Sequence, residues 1–229
     1  MAKLRAQAPR PALGPSPGRQ PPRAVARVLA GALVLAGALG ACSDAHVVVS
    51  DAQRLYLKVP SGWTVFGPAA LQQDGAFAAL FSSPPYFASI ASADPHPRPG
   101  VAFTASAYPW AIVVVRPLQP SEQLQMSLNG LKDVLLNIDG MQSTGSTVTQ
   151  LSQPELLTNG SLHGTLVSYE LQGPTGGSAM AYEQETWVNS ATTKVWVLMS
   201  GCSPSCFLAQ QPAISRVMQS FLVIDRGDS

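Results

Sequence analysis

Charge is scarce in this 229-residue chain: 12% of it is Asp, Glu, Lys or Arg, against 46% hydrophobic residues. Histidine and cysteine are scarcer, three of each. Each shortage removes a class of chemistry. His46, His96 and His163 stand far apart, none has the i, i+4 spacing of a helical metal pair, and no HExxH motif exists. Neither a metal site nor a cofactor is expected. No G-x-S-x-G elbow offers a serine nucleophile, and no GxxxxGK[ST] or GxGxxG loop offers a phosphate cradle. The glycines of GPTGGS at 173–178 read as a flexible connection. Glu183 and Glu185 alternate on one predicted strand, so their carboxylates share a face about 7 Å apart by strand rise. A glycosidase pair could use that separation, and a solvated strand face explains it as simply. With no nucleophile, base and acid brought together, the chain is not expected to be an enzyme.

Negative charge is missing altogether from the first 41 residues, which carry six basic residues (Lys3, Arg5, Arg10, Arg19, Arg23, Arg27). The remainder holds 8 basic against 13 acidic residues, a net charge of −5. The overall +1 therefore hides an acidic domain behind a basic leader. A nucleic-acid binder would keep a basic patch in the domain itself, so nucleic acid is not an expected partner.

Long apolar runs are also lacking, with one exception. VLAGALVLAGALGA at 28–41 is 14 residues long, short of the about 20 that cross a bilayer as a helix and suited to the core of a signal peptide. It ends in Leu39-Gly40-Ala41-Cys42, which resembles the lipobox of bacterial lipoproteins. The resemblance implies cleavage between Ala41 and Cys42 and fatty acylation of the new N-terminus, palmitate being a typical chain. Two or more chains anchor stably where one does not, at about 0.8 kcal/mol per buried methylene. The alternative is an uncleaved signal anchor with Cys42 a bystander.

The remaining cysteines, Cys202 and Cys206, flank a proline in GCSPSCF. In an oxidising exported compartment a disulfide is their natural pairing, with on the order of 2 kcal/mol from so small a loop. Two reduced thiols, or a redox or metal role, stay open on spacing alone.

Residues 42–52 are expected to be a lipidated tether, 53–224 a single globular domain and 225–229 a tail. Alternation predicts a strand at 53–59, with Leu55, Leu57 and Val59 on one face, then a Pro60-Ser61-Gly62 turn and Trp63 packed back on the core. A helical turn or two is expected at 67–73. The five prolines of 84–100 predict a long irregular loop and a candidate recognition element. WAIVVVR at 110–116 is a strand. Leu124, Leu128, Leu131, Leu135 and Ile138 recur at helical spacing and predict a helix over 121–137, capped by Ser121, its stripe facing the core. Strands follow at 146–152, 161–172, 178–188 and 193–200. The last is apolar on both faces and expected to be central. A helix at 206–220, which Pro212 interrupts or restarts, and a strand at 221–224 close the domain. Trp187, near a hairpin end, is the tryptophan expected to be exposed. Helices on a mostly antiparallel sheet make the fold class α+β.

RLYLKVPSGW at 54–63, the strand and helix around 112–137, and KVWVLMSGCSPSCF with ISRVMQSFLV at 194–223 together resemble the Mog1/PsbP-like group, and within it the LpqN-type actinobacterial lipoproteins. That resemblance implies an antiparallel sheet flanked by helices, a Mog1/PsbP-like sandwich, and a binding or accessory role. It transfers no ligand-contacting residue. The expected function is that of a lipoprotein anchored on the extracytoplasmic face of the cell membrane, with a non-catalytic domain that binds an envelope protein partner or accessory complex. The alternative is a carrier or sensor of an apolar or lipid ligand, with its pocket between the 121–137 helix and the sheet.

Overall fold

Two stretches, Trp110–Pro117 and Lys194–Cys202, are apolar on both faces, and they lie side by side in the middle of one sheet. The computed structural model describes residues 45–78, 81 and 84–224, all within the unit Cys42–Ser229. The elements begin with β1 (His46–Ser50), β2 (Leu55–Val59), β3 (Thr64–Phe66), α1 (Pro68–Gln73), α2 (Gly75–Ala78) and β4 (Phe87–Ser92). Then come β5 (Trp110–Pro117), α3 (Pro120–Gln125), a 3-10 turn (Gly130–Asp133), α4 (Ile138–Ser143), β6 (Thr147–Gln150) and β7 (Glu155–Asn159). β8 (Leu162–Gln172), β9 (Met180–Val188), β10 (Lys194–Cys202), α5 (Pro204–Gln219) and β11 (Leu222–Val223) complete the domain.

Among the described residues these strands make two antiparallel sheets. The large one runs β3-β4-β5-β10-β9-β8, and β6 and β7 share the far edge of β8. The small one runs β1-β2-β11, so both ends of the domain join the strand between them. Trp196, Leu198 and Cys202 of β10 face α5 and the small sheet, with Leu55, Leu57, Val59 and Ile214 opposite. Val195, Val197 and Met199 point the other way, under the short helices. Gly201 lets β9 approach: a Cβ there would sit 2.5 Å from the Ala181 carbonyl oxygen. The class is α+β with a mostly antiparallel sheet, as expected.

The expected strands at 53–59, 110–116, 161–172, 178–188 and 193–200 are present within a few residues, and Trp63 is buried. Several other expectations need correction. Residues 46–50, placed in the tether, pair with β2 as β1. The expected loop at 84–100 contains β4 (FASIAS), whose small residues pack between β3 and β5. Its serine polarity is satisfied internally: the Ser89 hydroxyl donates to the Phe66 carbonyl at 3.0 Å. β7 adds a strand that the sequence reading lacks. In place of the 121–137 helix stand two short pieces, α3 and the 3-10 turn at Gly130–Asp133, and α4 begins only at Ile138. Glu122, in the first turn of α3, takes the amide of Gln119 and the fork of Arg116 and so caps its start, and the helix ends at Gln125, where Met126 turns extended before the leucine stripe can continue. Leu131 and Ile138 are buried while Leu124 is 89% exposed. The structure carries α5 straight through Pro212. Trp187 is buried because its indole finds Glu185.

Candidate functional site

Ala41 and Cys42, the expected cleavage and lipidation site, lie outside the described residues. Cys202 and Cys206 come together at the corner where β10 turns into α5, their Cα atoms 5.9 Å apart in disulfide geometry. Pro204 occupies the first turn of α5, and the Ser203 amide donates to the Ser106 carbonyl at 2.7 Å, so the corner is tied to the 93–109 loop.

Strand alternation separates the other sequence candidates. His163 pairs with Val188, and Glu183 with Ser168, on opposite faces of the large sheet. No hydrolytic set joins them. Glu183 and Glu185 do share a face, half-buried. The Trp187 indole donates to Glu185 Oε1 at 2.6 Å. Burial pushes the Glu185 carboxyl up to about 7, and the neighbouring charges of Glu183 and Glu155 add to that against the pull of the indole. Burial raises Glu183 as well. Among the described residues no group of three or more His, Cys, Asp or Glu side chains is placed to hold a metal ion.

A pocket of about 360 Å³ opens beside α1 and α2. Gly67-Pro68 starts α1, and Leu71 buries against the sheet. The Asp74 carboxylate then accepts the Phe77 amide at 3.1 Å and starts α2, which turns Phe77 inward. Phe77 and Phe81 stack as tilted rings 5.2 Å apart. Pro84, Pro85, Tyr86 and Phe87 form the facing wall, and Gln72 brings a polar side chain to the lining. Tyr86 is more than half exposed, with the Lys194 ammonium 5.8 Å from its ring centroid. This is the shape of an apolar ligand site: concave, ring-lined, with few polar groups.

The apolar pocket was expected elsewhere, between the 121–137 helix and the sheet. That place holds a polar hollow edged by Glu122, Asp133, Asn137 and Asp139. The helix that would have roofed it is broken, and its turns are held by ionic and amide contacts. Arg116 forks onto both Glu122 oxygens at 2.9 and 2.7 Å and reaches the Val134 carbonyl at 3.0 Å. Beneath, the Gln184 amide donates to Leu131 O and Thr186 Oγ1. Tyr182, fully buried beside Tyr169, has its phenol pushed strongly up by that burial. The local signal for the real pocket was in plain view: aromatics at 77, 81, 86 and 87 around a Pro-Pro pair.

No family model matches the chain, and no curated protein matches it. Among solved structures, cyanobacterial PsbP from Synechocystis sp. PCC 6803 superposes with a TM-score of 0.51 at 11% identity, over 85% of this chain and 100% of that one. The fold is PsbP-like. At that identity the likeness is one of fold alone. Other similar structures are LpqN, involved in cell envelope biogenesis of Mycobacterium tuberculosis (TM-score 0.42, 14% identity, 75% of this chain and 83% of that one), and the Saccharomyces cerevisiae Ran-binding protein Mog1p (0.44, 10%, 80% and 97%). On the PsbP-like frame, the aromatic pocket sits at the β3-β4 edge of the large sheet, on the side away from the small one.

Proposed function

We propose that the chain is an LpqN-type lipoprotein, anchored through Cys42 on the extracytoplasmic face of the cell membrane, whose PsbP-like domain binds and does not catalyse. The basic leader, the 14-residue apolar run and the Leu-Gly-Ala-Cys ending support the anchor. The placement of Cys202 and Cys206 suits a disulfide in an oxidising compartment. No helix among the described residues is long and apolar enough to cross a membrane.

The observation that carries the binding role is the ring-lined pocket at α1 and α2. Its walls suit an acyl or isoprenoid chain of an envelope lipid, which makes the domain a carrier or sensor of that ligand. Native mass spectrometry of the protein from its own envelope tests this. Wild type is expected to retain a lipid that a pocket-filling Leu71→Trp variant, still folded by circular dichroism, loses. A wild type that never carries lipid ends the carrier reading.

A protein partner is the second reading, and Leu124 favours it. That side chain is almost fully exposed on α3, which the Arg116 fork holds rigidly to the sheet. Protruding apolar side chains on a braced support are typical interface anchors. Affinity capture from solubilised membranes should recover a reproducible partner with wild type and lose it with Leu124→Glu. Equal recovery by both variants would exclude α3 as the docking element.

A further inference from the structure

The small sheet has an inner face in the core and an outer face with nothing described over it. Alternation sends Val48, Leu55, Leu57, Val59 and Val223 inward. It sends Val47 and Val49 of β1, Tyr56 of β2, and Leu222 and Ile224 outward, the four aliphatic ones each about half exposed. The register makes these one patch. Val49 lies opposite Tyr56, Tyr56 lies opposite Leu222, and Val47 lies opposite Lys58. Lys58 holds its ammonium 5.9 Å from the Tyr56 ring centroid at the patch edge. Aliphatic side chains with a tyrosine and a lysine at the rim match the composition of the membrane–water interface, where aromatic rings sit at headgroup level and lysine reaches outward.

Chain length decides the occupant. His46, the first residue of β1, is four residues after Cys42. An extended stretch of that length reaches at most about 14 Å. A domain of this size has a radius of gyration of about 16 Å. A lipid on Cys42 therefore holds β1 at the bilayer surface, with no slack for the domain to turn its opposite side down.

We propose that the outer face of the β1-β2-β11 sheet rests on the lipid surface. Val47, Val49, Tyr56 and Leu222 contact the headgroup–acyl boundary and fix the orientation of the domain. This rests on the lipid-anchor reading and goes beyond it. The pocket at α1 and α2 and the exposed Leu124 lie across the large sheet from this face, and so are presented away from the membrane.

The mature, lipidated full chain, reconstituted in vesicles of phosphatidylcholine and phosphatidylglycerol, provides the test. A benzophenone side chain is placed in turn at position 49, 222 or 124, or at the exposed Leu156 of β7, which pairs with Thr165 on the face of the large sheet turned away from the small one, and photo-activated. Intact mass reports acylation of Cys42 in every sample. Lipid adducts at 49 and 222, and none at 124 or 156, are the expected result. Tyr56→Glu combined with Leu222→Glu should lower the adduct at 49 several-fold while circular dichroism stays unchanged. With Cys42 acylated, adducts at all four positions, at none, or to a second copy of the chain at 49 overturn the docking and leave the anchor standing. An unmodified Cys42 takes down both.

Discussion

At the scale of single residues, Glu185 is the group whose surroundings make the clearest demand. Its carboxyl titrates near 7 in the folded chain, against an ordinary value of 4.5, because burial disfavours its charge. Below pH 4.5 it is protonated in both states and costs nothing. As pH rises toward 7 the unfolded chain releases the proton and the folded chain resists, so stability falls across that window and stays lower above it. The shift corresponds to on the order of 3 kcal/mol at most. Urea melts at pH 5 and pH 8 should show the loss, and Glu185→Gln should flatten most of it. A Glu185→Gln variant with the wild-type pH dependence would assign the effect to other groups. The same residue explains why Trp187 was misread from sequence. A tryptophan at a hairpin end reads as exposed unless a partner for its indole is known, and that partner lies two residues back on the same face.

At the scale of elements, the segment between β5 and β6 is held by side chains and not by helical periodicity. Arg116 is well covered and meets Glu122 in a fork, and that contact holds the Glu122 carboxyl below its usual range. Arg116→Ala leaves a half-buried carboxylate without its cation and is expected to cost about 1–3 kcal/mol. Amide exchange should accelerate over 118–137 while β5, β9 and β10 stay protected. Exchange rising equally everywhere would mean that the clamp is global. Arg116→Lys should recover only part, since an ammonium cannot reproduce the planar fork. Here the limits of sequence reading are physical. Leu124, Leu128, Leu131, Leu135 and Ile138 have helical spacing, but the backbone leaves the helix at Met126 and turns at Asn129-Gly130, and Arg116 holds the Val134 carbonyl from 18 residues upstream, a contact about which spacing carries no information. β10 was legible because both its faces are apolar. β4 was hidden for the opposite reason: its alanines and serines look like loop residues until β3 and β5 enclose them. The aromatic pocket needed the same enclosure to become a cavity, although its four rings lie within eleven residues of one another.

At the scale of the whole molecule, the small sheet joins the two ends of the domain. Ile224 donates its amide to the Arg54 carbonyl, and Asn159 Nδ2 donates to the Val223 carbonyl, so the last residues are stitched to both β2 and the β7-β8 turn. A chain ending at Ser220 loses β11 and these bonds. It is expected to unfold at clearly lower urea than a chain ending at Ile224, which should match the full-length protein. Equal midpoints for all three would show that β11 is dispensable. Fold class and the central strands were readable from composition and alternation, whereas this closure was not, because a two-residue strand carries almost no pattern of its own.

That closure has a consequence in time. A polypeptide is made, and crosses a membrane, from its N-terminus onward. β1 and β2 can pair as soon as they emerge, yet β2 keeps an open edge until residue 223 arrives. On the proposed anchor, a chain fastened by Cys42 would wait at the membrane as an unfinished sheet, exposed to any passing strand, for the time that the other 160-odd residues take to follow. The moment of greatest vulnerability to mispairing thus falls before the last strand is delivered, and a chaperone acting on this protein would do most good there.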